Sequence, residues 1–137
     1  MSKYLELKQH IDLKSDNLQV TDLLFIHPVL LVILAHISLF CHKHGINFQL
    51  TSIIRTLQEN KDLKSKSTTH VDGRAFDFSV REEHGWTYEL IQRLINELNL
   101  LYGKYGALSK RDKIGRVIIV HDGGHGKHAH VQIKPGL

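Results

Sequence analysis

The sequence predicts an α+β fold: a small antiparallel sheet with helices packed on one side. Two kinds of segment carry that expectation. Residues 28 to about 43 and 87 to about 102 have the apolar spacing and bulk of helices. Residues 46–56, 74–80, 116–121 and 128–134 are short, alternating or rich in β-branched side chains, and read as strands. With 137 residues, the chain is expected to form a single domain, 1–137, large enough to bury a core without disulfides.

Residues 1–20 are a poorly determined lead-in with some strand character, and Thr21 or Asp22 is placed to cap an initial turn. Pro28 suits the first turn of the helix that follows, where its missing N–H costs nothing. Gly45 is placed to end that helix. The helix is apolar on nearly all sides, which predicts a central position in the fold. The strand at 46–56 ends near Arg55, and the polar, lysine-rich run 57–69 is a surface loop or a short helix. In 74–80, Phe76, Phe78 and Val80 share a core face, while Ala75, Asp77 and Ser79 share a face that can line a cleft. Residues 82–86 turn the chain, and Trp86 is either a core anchor or a stacking platform over the cleft. Thr87 caps the second helix, whose apolar stripe is Leu90, Ile91, Leu94, Ile95, Leu98 and Leu101. Gly103 and Gly106 bracket a turn region, with Tyr102 and Tyr105 there for packing or for a substrate groove. Beyond the strand at 116–121, Asp122-Gly123-Gly124-His125-Gly126 is a flexible loop. The last strand sets His128, His130 and Gln132 on one face and Ala129, Val131 and Ile133 on the other.

Composition narrows the function. The formal charge is +4 with neutral histidines, a mild excess that suits anionic partners. The lysines at 61, 64 and 66 read as a solvated loop, because no interleaved aromatics or nucleic-acid motif accompany them, so no nucleic-acid partner is expected. The single cysteine, Cys41, lies among apolar neighbours and reads as a buried small hydrophobe. The first residues carry no secretory signal pattern. The apolar stretch 23–41 is broken by His27, Pro28, His36 and Ser38, and reads as a core helix rather than a membrane span. His27 and His36 on that helix read as satisfied core or interface residues, His42 and His44 as complements to its C-terminal dipole, and His84 as a surface residue.

The residues that carry chemistry gather on the polar faces of two strands. Asp77 comes from the first, His128 and His130 from the last, and His70 stands in the loop that enters the first. Neighbouring antiparallel strands lie about 4.8 Å apart. If these two strands pair, His70, Asp77 and His130 can reach one ion, with the fourth position of a catalytic zinc site left open. Gly73 lets the loop between the first two ligands turn tightly, and Ala75 leaves room beside the metal. Either half of the pattern arises readily by chance in a chain with eleven histidines; the joint pattern is more specific.

Thr68-x-His70-x-x-Gly73-x-Ala75-x-Asp77 resembles the Ser-x-His-x-x-Gly-x-Ala-x-Asp signature of the D-alanyl-D-alanine carboxypeptidase zinc peptidases. These share a structural group with lysostaphin-type peptidases and the hedgehog signalling domain. His128-x-His130 is similar to that group's C-terminal His-x-His, and Ile53-Ile54-Arg55-Thr56 occupies the place of its strand-end arginine. The resemblance covers about 46–133, and phage endolysins of this size are among the members. It implies a hedgehog/D-Ala-D-Ala-peptidase-like fold with zinc held by His70, Asp77 and His130. By the same resemblance His128 is the catalytic histidine, Arg55 steadies the substrate carboxylate or the developing oxyanion, and Thr68 keeps the hydroxyl of the family's serine at the substrate. Many members carry an acidic general base three residues before the last ligand. Here that residue is Lys127, a departure that leaves Asp122 and His125 as alternative bases if the glycine loop folds over the site.

The expectation is thus a zinc-dependent peptidase that hydrolyses peptidoglycan stem peptides at a D-Ala-D-Ala or an L-Ala-D-Glu bond. A phage lysin fits, as does a related bacterial enzyme: monomeric, cytoplasmic until released to the wall, or carried in the virion. The competing expectation is a catalytically inactive binding or assembly module that retains the fold, and Lys127 is the residue that favours it.

Overall fold

The computed structural model describes residues 11–14, 20–53, 72–109, 111–122 and 127–137. In chain order its elements are β1 (Ile11–Leu13), α1 (Pro28–His44), β2 (Phe48–Ser52), β3 (Ala75–Ser79), α2 (Tyr88–Tyr102), β4 (Ala107–Leu108), β5 (Gly115–Arg116), β6 (Ile118–Asp122) and β7 (Lys127–Gln132). Short 3-10 segments lie at Val20–Phe25, Glu82–His84 and Gly103–Tyr105. The five-stranded sheet runs β1-β2-β3-β7-β6, and β4 and β5 form a separate ribbon.

The α+β class holds, with one correction. β1 pairs parallel to β2, whereas the other pairs of the sheet are antiparallel, so the sheet is mixed rather than purely antiparallel. The cause lies in the connection: α1 carries the chain back across the sheet before β2 begins, and a crossover of this kind returns the strand in the same direction.

α1 starts where expected. Pro28 sits at its first turn, and the His27 ring Nδ1 accepts from the Val29 N–H at 3.1 Å, so an imidazole serves as the N-cap. Gly45 ends it in the left-handed region at φ +68°. Its buried face is Leu30, Ile33, Leu34, Ile37 and Phe40. The all-round apolar sequence nonetheless leaves a solvent side, with Val32 55% and Leu39 70% exposed, so the helix covers the sheet instead of lying at the centre. α2 is capped by Thr87, whose Oγ1 accepts from the Leu90 N–H at 3.2 Å. It buries Ile91, Leu94 and Leu98, while Leu101 at the end of the expected stripe is exposed. No helix among the described residues is long and apolar enough to cross a membrane.

The core lies between these helices and one face of the sheet. Phe76, Phe78 and Val80 from β3 and the residue after it join Ala129 and Val131 of β7, as the alternation requires. Trp86 packs at 5.8 Å from Phe78 and 6.2 Å from Phe40, ring centroid to centroid, and is buried. It is therefore a core anchor and not a platform over a cleft. Cys41 is buried too, and burial pushes its thiol up to about 12, which makes it an inert hydrophobe.

Two strand expectations change. β2 spans Phe48–Ser52, and Arg55, the expected strand end, lies outside the described residues. The expected strand at 116–121 divides at Val117, because Gly115–Arg116 pair with Ala107–Leu108 while Ile118 onward pairs with β7. At the switch, the Val117 N–H donates to Asn99 Oδ1 at 2.9 Å, so α2 satisfies the backbone group that changes sheets.

Candidate metal centre

β3 and β7 pair in the register Ala75↔Gln132, Asp77↔His130, Ser79↔His128. β6 continues it with Ile119↔His130 and His121↔His128. Directly opposed residues share a face, so one side of the sheet, opposite the core, carries Asp77 and Ser79, then His128, His130 and Gln132, then Ile119 and His121. The apolar partners on the other face explain why this register is the one adopted: a one-residue slip would turn Phe76, Phe78, Ala129 and Val131 to the outside.

Within this face Asp77 Oδ1 lies 2.6 Å from His130 Nδ1. His130 Nε2 lies 2.8 Å from Gln132 Oε1. Asp77 is only 7% exposed, so the pair is held largely away from bulk water. Which ring nitrogen carries the proton depends on the tautomer; a proton on Nδ1 is donated to the Asp77 carboxylate. A carboxylate beside an imidazole whose other nitrogen is contacted by Gln132 has the donor chemistry and outer support from which a metal-ligand pair is built.

Asp77 and His130 are thus brought together as the sequence predicted. The third expected ligand, His70, lies outside the described residues, as do Arg55 and Thr68. Among the described residues there is no group of three His, Cys, Asp or Glu side chains arranged to hold a metal ion. His128 stands two residues from His130 on the same face, opposite Ser79. Gly73 has φ +69°, and a Cβ there would lie 2.7 Å from the Phe25 carbonyl oxygen, so the approach to Asp77 needs glycine. Ala75 is buried on the ligand side, as expected.

Other expectations are corrected. Asp122 pairs with Lys127 at the end of the β6–β7 ladder, and alternation puts both on the face of Val120 and Ala129. Lys127 borders a hollow with Val80, Trp86 and Ile91 on the helix side. Asp122 is therefore turned away from the candidate centre, and His125 lies outside the described residues. His84 is not a free surface residue: it is half-buried, with Nδ1 3.1 Å from Ser79 Oγ. The expectation for His36 is met: it is satisfied by the Tyr102 hydroxyl at 3.1 Å and Glu97 at 3.3 Å, and of the two readings of Tyr102 this is the packing one.

From the sequence, His121 beside Asp122 reads as a loop-edge pair or as an orienter of a ligand imidazole; in the structure it sits in the β6–β7 ladder, directly opposite His128. Its ring lies edge-on to that of His128, with centroids 4.1 Å apart. Although His121 is exposed, partial desolvation beside the neighbouring ring lowers its pKa below the ordinary imidazole value, and repulsion from His128 and His130 adds to this against the pull of Asp77. A signal was present: a hairpin centred on the glycine run after Asp122 sets position 121 against 128 and 119 against 130. Gln132 was placed on the right face but given no role.

No protein-family model matches this chain, and no curated protein or solved structure is detectably similar to it.

Proposed function

We propose that the protein is a zinc-dependent peptidase of bacterial cell wall, hydrolysing a D-Ala-D-Ala or L-Ala-D-Glu type bond in peptidoglycan stem peptides, with a hedgehog/D-Ala-D-Ala-peptidase-like fold. The observation that carries this reading is the buried Asp77–His130 pair, 2.6 Å apart, with the far imidazole nitrogen fixed by Gln132. Asp77 and His130 would hold the ion together with His70. Zinc bound there supplies Lewis acidity toward water and toward a peptide carbonyl. His128, on the same face one strand step away, accepts the proton of the attacking water and returns it to the leaving amine as the C–N bond breaks. Arg55 and Thr68 bind the substrate carboxylate, a role that suits a guanidinium fork and a hydroxyl. Release to the wall from the cytoplasm, or carriage in a virion, agrees with a phage lysin, acting as a monomer.

A second reading has its own observation. Asp77 is the one carboxylate on the ligand face of β3, β6 and β7 among the described residues, and Lys127 takes the position where the resemblance expects an acid. An inactive module that keeps the fold and binds wall peptide follows if His128 cannot act as both base and acid.

Metal content decides the first step. Wild-type protein is expected to carry one zinc, lost in His70→Ala and in Asp77→Ala. Purified peptidoglycan should release new amines with the wild type and none after chelation. Bound zinc without chelator-sensitive cleavage favours the binding module, and wild-type protein without zinc overturns the peptidase reading. His128→Ala is expected to keep its zinc and lose turnover; loss of zinc as well would make His128 a ligand.

A further inference from the structure

We propose that His121 and His128 form a second, weaker site for a borderline transition-metal ion, separate from the Asp77–His130 pair. The two residues are direct partners across the β6–β7 ladder, and their rings touch with centroids 4.1 Å apart. Opposed Cβ atoms in an antiparallel pair lie about 4.5–5.5 Å apart. From that separation two imidazoles can swing onto one ion at about 2.0–2.1 Å from each nitrogen. β6 is the edge of the sheet and His121 is exposed, so an ion has an open route from solvent and room for its water ligands.

The donor set selects the class of ion. Imidazole nitrogens suit Zn2+, Cu2+ and Ni2+, whereas Ca2+ and Mg2+ demand oxygen. Two protein donors leave the remaining positions to water, so binding is weaker and faster to exchange than at a three-ligand site. His128 and His130 stand two residues apart on one strand, about 7 Å along it, so the second site would neighbour the Asp77–His130 pair on the same face of the sheet. His42 and His44, also two apart, are helical neighbours that point to different sides and offer no such chelate.

The proposal stands on described residues alone and does not depend on the peptidase reading. Metal-free protein titrated with zinc chloride in a calorimeter tests it, with Cu2+ as a second probe. The wild type is expected to show a weak uptake that His121→Ala and His121→Gln lose and that Asp77→Asn and His42→Ala keep. Circular dichroism confirms that each variant is folded, which the exposure of His121 on an edge strand favours. Weak uptake that survives in both His121 variants, or is absent from the wild type, overturns the proposal. A tight uptake missing from Asp77→Asn alone bears on the Asp77–His130 pair, so the two sites fail independently.

Discussion

Gly73 ties backbone conformation to the candidate centre through the chain that enters β3. Its φ of +69° and the 2.7 Å approach to the Phe25 oxygen leave no space for a side chain. Its own carbonyl accepts from the His27 N–H at 3.0 Å, which links the entry to β3 with the start of α1. Gly73→Ala is expected to cost at least about 1–2 kcal/mol from the left-handed conformation alone, read as a lower urea midpoint. His121 makes a second prediction. Its folded pKa lies below the ordinary imidazole value, so the unfolded chain binds the extra proton first as pH falls. The stability contributed by the neutral ring is present above about pH 6.5 and drains away as pH drops through that value toward the folded pKa. Titration of the His121 ring by NMR should give a midpoint below 6.5. His128→Ala should raise it, by removing both cover and repulsion.

Between residue and fold, the elements differ in how plainly they could be read. The alternation of β3 and β7 was legible because each strand has one uniformly apolar face. α2 was legible through its cap and stripe, and Thr87→Ala is expected to cost about 1 kcal/mol, measured by thermal or urea unfolding. α1 was legible in extent but not in orientation: with Val32 and Leu39 as apolar as Ile33 and Leu34, no stripe told the outer side from the inner. The break at Val117 was invisible because β-branched residues run through it. The change of partner there is set by distant groups, the Asn99 side chain and the ribbon strand β4. The parallel placement of β1 depends on packing that three residues cannot encode. For the centre, the sequence exposed Asp77, His128 and His130 through spacing, but Gln132 and His121 acquire meaning only once the register is known.

For the molecule as a whole, an ion bound only by the folded form stabilises it by mass action. Free zinc at about a thousand times its Kd adds on the order of 4 kcal/mol. On the proposed zinc reading, chelation should lower the melting temperature of the zinc-loaded protein by roughly 10 °C and shift Asp77→Asn much less. An equal shift in that variant would place the stabilising ion elsewhere. The order β1-β2-β3-β7-β6 carries a kinetic consequence. Asp77 and His130 are 53 residues apart, and β7 is a central strand contributed by the last segment of the sheet. Until that segment slots between its two neighbours, the carboxylate and imidazole do not meet, and loop closure over such a distance is slow. Refolding followed by zinc capture and by burial of Trp86 should then rise in one shared phase. On the proposed reading, no half-assembled intermediate would hold an ion between Asp77 and His130.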